Sequence, residues 1–244
     1  MSLFRDTGVV LRTYRLGEAD RIIVLMTEGH GKVRAVAKGV RRTSSKFGAR
    51  LEPLTHVDLL LWQGRSDLDI INQVEVIETF RAVREDLSRV AKGLAVLEVT
   101  DQMAQERHPD RRLYAMVVGA LRALSEKDAD PTLLAPCFFL KALVLEGASP
   151  VLDACASCGE PDGAVELVAF DLVEGGTLCR RCRRGRPMSA AALALLHRIL
   201  GGDLAAVLSG PPPEGADEVA ELATQAMEGH LDRRIRSVRS AVGL

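Results

Sequence analysis

Apolar residues of the first eighty positions gather in short runs separated by turn-forming residues. Five short β-rich runs stand out, GVVLRT (8–13), RIIVLMT (21–27), KVRAVAK (32–38), HVDLLLW (56–62) and DIINQVEVI (69–77). A two-residue period is the mark of strands that turn one face to a core. Leu16-Gly17 and Gly29-His30-Gly31 provide turns between the first three runs, whereas the long GVRRTSSKFGARLEPL segment joins the third to the fourth. Five strands in so short a stretch predict a small closed or nearly closed barrel, because an open sheet of this size would leave long edges unprotected.

From Arg81 the period lengthens. Leu87, Val90, Ala91, Leu94 and Leu97 recur at intervals of three and four, as do Leu113, Val117, Ala120 and Leu124, and Leu133 to Glu146 forms a third apolar segment. These are helices. Pro109 and Pro131 suit helix starts, and Gly147 ahead of Ser149-Pro150 suits a stop. Further on, Ser189 caps AALALLHRIL, Gly201-Gly202 ends it, and Ala216 to Arg236 reads as a last helix behind Pro211-Pro212-Pro213. The expected class is α+β, with a β-barrel domain over residues 1–80 and an α-helical domain over 81–244.

Composition is that of a folded chain, with 47% hydrophobic and 27% charged residues. No uncharged apolar run reaches the roughly 18 residues of a membrane span. Arg5, Asp6 and Arg12 interrupt any secretory signal, so a cytoplasmic, reducing compartment is expected. There the five cysteines read as thiols or metal ligands rather than disulfides.

Four of them form two C-x-x-C pairs, Cys155/Cys158 and Cys179/Cys182. Each pair supplies two ligands from one tight turn, and two such turns complete a tetrahedral thiolate shell for zinc. The intervening AVELVAFDLV, flanked by Pro161-Asp162-Gly163 and Gly175-Gly176, is long enough for a hairpin that brings the pairs together. The segment 151–187 is therefore a zinc ribbon, with one structural Zn2+. Four thiolates leave no position open for a catalytic water, and the H-x-E of zinc deaminases is missing. Cys137 has no partner at ligand spacing and reads as a packed helix thiol. Arg180, Arg181, Arg183, Arg184 and Arg186 around the second pair permit two readings, a phosphate-contacting patch or a solvated surface offset by Glu166, Asp171 and Glu174.

Net charge is only −1, yet Lys32, Arg34, Lys38, Arg41, Arg42, Lys46 and Arg50 follow one another with no acidic residue between them. Local field decides what approaches a surface. Strand alternation puts Lys32, Arg34 and Lys38 opposite Val33, Ala35 and Ala37, and the loop carries the same sign onward. A barrel with a basic face and a basic loop is how single-strand binders track phosphates. Tyr14, Phe47 and Trp62 are the aromatics available for stacking in the barrel, and each is expected to be packed instead. Phosphate loops, dinucleotide fingerprints and nucleophile elbows do not occur. The histidines 30, 56, 108, 197 and 230 follow no triad pattern and read as turn or surface residues.

Several stretches resemble the RecO family of bacterial DNA repair proteins. Val10-Leu11, Glu18-Ala19-Asp20, Thr27 ahead of Gly31-Lys32, Ala37 to Arg42 and Leu51-Glu52-Pro53 carry the likeness in the barrel, and FFLKALVLEGASPVLDACASCG carries it into the cysteine segment. The resemblance implies an OB-fold barrel, a helical domain with a four-cysteine zinc site, and a non-enzymatic role in recombinational repair. It further implies binding and annealing of single- and double-stranded DNA, and loading of the RecA recombinase together with RecR in place of single-strand binding protein. A rival reading is a scaffold whose basic surface captures the acidic tail of single-strand binding protein. A sequence-specific zinc-ribbon regulator is a third, without a recognition helix to support it.

Overall fold

The computed structural model describes residues 2–43, 45, 47–64, 67–126 and 130–240. Two compact units emerge, one of Met1–Glu126 with Arg236–Leu244 and one of Lys127–Ile235.

The first unit is built on five strands, β1 (Leu3–Leu16), β2 (Asp20–Thr27), β3 (Gly31–Ala37), β4 (His56–Trp62) and β5 (Asp69–Glu78). They close into a barrel in the order β1-β2-β3-β5-β4, antiparallel throughout except for the short parallel pairing of β3 with β5 at Ala35/Asp69 and Val36/Ile70. That closed five-stranded order matches the OB-fold expectation. Inward positions follow the two-residue period: Val10, Ile23, Leu25, Val33, Ala35, Val57, Leu59, Leu61 and Ile71 line the core. Phe47 and Leu51, brought in by a 3₁₀ turn at Gly48–Leu51, plug the barrel from the long loop. Gly31, at φ 67°, lies so close to the His108 carbonyl that a Cβ would come within 2.0 Å of its oxygen.

Helices α1 (Arg81–Arg84), α2 (Leu87–Met103) and α3 (Arg111–Ser125) belong to the same unit. Asp86 caps α2 by accepting from the Arg89 N–H, and Asp110, directly after Pro109, caps α3 by accepting from Leu113 N–H. The α3 face is the one the period marks, with Leu113, Val117 and Leu124 buried. On α2 the phase differs from the expected stripe. Leu87 is 68% exposed, and the helix buries Arg89, Gly93, Val96, Leu97 and Thr100. Gly93 explains the shift, for its missing side chain lets α2 approach so closely that a Cβ would sit 2.8 Å from Leu54. Outer barrel residues Val9, Val24 and Met26 are as buried as the inner ones.

The second unit holds α4 (Leu134–Leu145), a three-stranded sheet of β6 (Leu167–Asp171), β7 (Gly176–Cys179) and β8 (Arg186–Pro187), then α5 (Ala190–Leu200), α6 (Leu204–Leu208) and α7 (Ala216–His230). Ser189 caps α5 by accepting from Ala192 N–H, as its place in the sequence implies. The last long helix ends at His230, short of the expected Arg236, and Asp232 takes a left-handed φ of 48°. The short α8 (Arg236–Ser240) then packs on α2 in the first unit, where the Glu98 carboxylate accepts from the Arg236 and Ser237 N–H groups. Among the described residues no helix is long and apolar enough to cross a membrane.

Candidate nucleic-acid interface and metal centre

The strand period puts Lys32, Arg34 and Val36 on the outer face of β3, but the seven basic residues of the run meet different fates. Lys32 is covered. The chain beyond α2 pairs with the start of β3, where Gln105 O accepts from Lys32 N–H and Lys32 O accepts from Arg107 N–H. The Lys32 ammonium donates to the Asp101 carbonyl at 2.7 Å and lies 3.7 Å from that residue's Oδ1, leaving its side chain 15% exposed. Lys32 therefore does not share an open face with Arg34 and Lys38; alternation specifies a face, and here a distant helix end covers part of it.

The others remain outside. Lys38, Arg41, Arg42 and Arg50 are exposed and Arg34 is partly so, while Lys46 lies outside the described residues. The basic loop is clasped to the β1–β2 turn. Arg41 N–H donates to Ala19 O at 3.0 Å, the Arg41 guanidinium donates to Glu18 O at 2.8 Å, and Asp20 Oδ1 accepts from Gly39 N–H at 2.7 Å. Lys38, Arg41 and Arg42 are thus held next to the distal end of β1.

That end contributes residues the sequence pattern did not single out. Cross-strand register sets Arg12 opposite Val24, and Val24 opposite Arg34, so both arginines occupy one row of the outer face. A β-bulge between Val10 and Arg12 turns Arg12 outward. Its Nε donates to Asp101 at 2.8 Å, and its guanidinium lies 4.9 Å above the Tyr14 ring, within cation–π range. Arg15, in register with Arg21 and Ala37 and so on the other side of the strand, is exposed where β1 ends. Only the bulge and the register reveal this row.

The expectation of packed aromatics holds for Phe47, 2% exposed in the core, and fails for the other two: Tyr14 is 41% and Trp62 38% exposed. Both sit on outward positions of their strands, and the side on which an aromatic leaves a strand is set by register, not by residue type. His56 also departs from expectation. It is buried, its Nε2–H donates to Tyr114 Oη at 2.7 Å, and Tyr114 Oη–H donates to Thr7 Oγ1 at 3.0 Å. Burial, helped by the charge of Arg122, lowers its pKa from the ordinary value.

In the second unit the two C-x-x-C turns converge. The β6–β7 hairpin carries Cys179 to the end of β7, while Cys155 N–H donates to Glu160 O and Ala156 N–H to Thr177 O, folding the first turn against the second. All four Sγ atoms lie within 4.8 Å of one another, and Cys158 Sγ is 3.9 Å from Cys179 Sγ. A tetrahedral shell with bonds of about 2.3 Å requires sulfurs about 3.8 Å apart, so the donor set fits a metal ion. Their acidities fit as well. Burial opposes ionisation of Cys155, but the N–H groups of Cys179, Cys158 and Ser157 outweigh it and bring the thiol down to about 6. Burial and the neighbouring sulfurs push Cys182 up to about 11. One negative sulfur suppresses the next, and a dication is what would let all four ionise. Cys137 stands apart, 1% exposed in α4, its thiol pushed up to about 12 by burial.

Arginines near the second pair are largely neutralised. Arg180 grips Glu166 with two hydrogen bonds of 2.7 and 2.9 Å, Arg184 pairs with Asp171 and Glu174, and Arg186 pairs with Glu221 at 2.6 Å. Of the two readings, the offset surface describes these three residues.

Comparison with known proteins agrees with this arrangement. Residues 1–80 match the family model for the N-terminal part of recombination protein O, and residues 84–239 match that for its C-terminal part. Proteins called DNA repair protein RecO are similar over 98% of both chains, at 40% identity in Thermobifida fusca and 42% in Streptomyces avermitilis and Streptomyces coelicolor. With its five-stranded barrel, helical second unit and four-cysteine cluster, the chain belongs to the RecO family and has a role in DNA repair.

Proposed function

We propose that the chain is a non-enzymatic DNA-binding and strand-annealing protein that binds single- and double-stranded DNA through the outer face of its barrel, and that it assists RecA loading together with RecR. The observation that carries this reading is a set of cations left without acidic partners. Arg15, Arg34, Lys38 and Arg42 form no ion pair among the described residues, and Arg41 spends its hydrogen bond on a neutral carbonyl. Elsewhere arginines are mostly tied to carboxylates, as in Arg5–Asp58, Arg21–Glu52 and Arg107–Asp69. Neutralising phosphates on two strands lowers their mutual repulsion, so annealing needs no nucleotide hydrolysis. The four cysteines hold one zinc ion that staples the second unit; closed thiolate coordination supplies no Lewis-acid chemistry.

If Arg15, Arg34, Lys38, Arg41 and Arg42 each meet one phosphate, log K falls with log salt at a slope of about −3.5 for single strands and about −4.5 for duplex. Replacing Arg34 and Arg42 by glutamate removes two contacts and brings the single-strand slope to about −2, with weaker binding at every salt concentration. Anisotropy of labelled oligonucleotides reads both quantities, and an unchanged slope would refute the assignment. The same cations would attract the acidic tail of single-strand binding protein. A variant that loses DNA yet keeps the tail peptide would make protein capture the main role.

A further inference from the structure

Following the hydrogen-bond register around the barrel uncovers a second feature of the outer face. Tyr14 is opposite Ile22, Ile22 opposite Val36, Val36 opposite Ile70, Ile70 opposite Trp62 and Trp62 opposite Leu3. Partners in register share a face, and the neighbours of these residues along the strands, Ile23, Ala35, Ala37, Ile71 and Leu61, are core residues. The six side chains therefore form one apolar stripe that crosses all five strands. Exposure is greatest at its ends, at 41% for Tyr14, 38% for Trp62 and 45% for Leu3, and least at Val36, with 9%, which forms the floor.

Cations border the β1–β3 part of the stripe on both sides. Arg12 and Arg34 occupy the adjacent row, and Lys38, Arg41 and Arg42 follow β3 where the loop leaves it. An apolar track ending in aromatic rings and edged by positive charge is complementary to a polymer with flat apolar faces on one side and anionic groups on the other. We infer that the stripe is the path of single-stranded nucleic acid, with Tyr14 and Trp62 as base-stacking platforms and the flanking cations on the phosphates. Duplex hides its base faces and is confined to the cations. The inference rests on the DNA-binding reading and adds to it the strand type and the base contacts.

Tyr14 is prepared for this role. Arg12 occupies one side of its ring and is itself anchored by Asp101, which is 4% exposed. A base can therefore take the remaining side without first ordering the tyrosine. From β1 to β4 the stripe crosses four strand spacings, about 19 Å, which suits the low end of the roughly 4 to 16 nucleotides held by barrels of this kind.

Trp62 is the sole tryptophan of the chain, so its fluorescence reports directly on one end of the path. Titrating the full chain with a dT 20-mer should quench that emission in step with anisotropy of the labelled oligonucleotide, and the dA/dT duplex should bind without the quench. Tyr14→Ala should weaken the single strand about 5- to 150-fold, while duplex affinity and the salt slope stay unchanged; Tyr14→Phe should retain wild-type binding. Trp62→Phe should silence the emission, which assigns the quench to this residue. Binding of the single strand without a quench overturns the inference, as does an equal loss for single strand and duplex in Tyr14→Ala, and both results leave the DNA-binding reading standing. Absence of any binding in the wild-type chain removes that reading and the inference with it.

Discussion

Lys32 and Lys38 lie six residues apart in one acid-free run, and the structure gives them opposite surroundings. Lys38 is exposed, whereas the Lys32 ammonium donates to the Asp101 carbonyl at 2.7 Å and faces its carboxylate at 3.7 Å. Asp101 Oδ1 is buried and has no hydrogen bond among the described residues, so the nearby ammonium is its main compensation on that side. Lys32→Met keeps the aliphatic stem and removes the charge. Loss of one hydrogen bond and of the facing charge should destabilise the first unit by about 2 kcal/mol, since a bond involving an ionised group contributes roughly 1.5 to 3 kcal/mol. Arg12, at 2.8 Å, still holds the other carboxylate oxygen, which keeps the loss below the roughly 3 to 5 kcal/mol of a buried charge left alone. In melting temperature this is on the order of 5 to 10 °C for a unit of this size. DNA affinity at a temperature where the variant is folded should stay within about twofold of wild type, because Lys32 contributes no phosphate contact to the slope. Lys38→Met should do the reverse, leaving the melting temperature in place and flattening the single-strand slope by about 0.7. Differential scanning fluorimetry with salt-titrated anisotropy measures both. If Lys32→Met melts like wild type and loses DNA, the covered lysine is a DNA contact and the reasoning fails.

Two further outcomes follow from other parts of the chain. Purified protein should contain about one zinc per chain by elemental analysis, and Cys158→Ser should lower that content and the melting temperature of the second unit while leaving barrel-dependent DNA binding intact; metal-free protein with an unchanged melting profile would refute the staple. His56 is held neutral, with its pKa below the ordinary value because it is buried, so the unfolded chain binds the extra proton first and the stability this neutral group supports, complete above about pH 6.5, is lost as pH falls below that value. Melting curves from pH 7.5 to 5 should show a steeper decline for wild type than for His56→Gln, and parallel declines would show that the His56–Tyr114 bond does not set the acid limit.

How much of this could be read in one dimension differs between strands, helices and site. The strand runs were legible because inner positions such as Val33, Ala35 and Ala37 recur at every second residue, with Val36 the one apolar residue on the outer side, and that period is a local property. The face of α2 was less so. Its burial is set by a close approach at Gly93 to Leu54, and a glycine contributes nothing to a hydrophobic period. The cysteine cluster was legible at the level of ligands, because tight C-x-x-C turns impose their geometry locally. The proposed nucleic-acid face was only half legible: the acid-free run shows where positive charge is dense, but Asp101, 69 residues beyond Lys32, decides that one of those charges is compensated. Arg12 and Tyr14 join the face through a bulge and a cross-strand register, and neither leaves a trace in spacing. Trp62 and Tyr14 looked like core aromatics because exposure depends on which side of a strand a residue leaves.

The pairing of Gln105 and Arg107 with Lys32 has a consequence for synthesis on the ribosome. Strand β3 meets β5 only at Ala35 and Val36, so the backbone near Lys32 forms an edge until the chain beyond α2 arrives to occupy it. A nascent chain extending only to Glu78 has all five strands but would expose that edge, together with Val9, Val24 and Met26, to any passing strand. Vectorial folding of the barrel is therefore completed late, after about thirty more residues have emerged, and fragments cut at the end of β5 are the ones to expect in inclusion bodies.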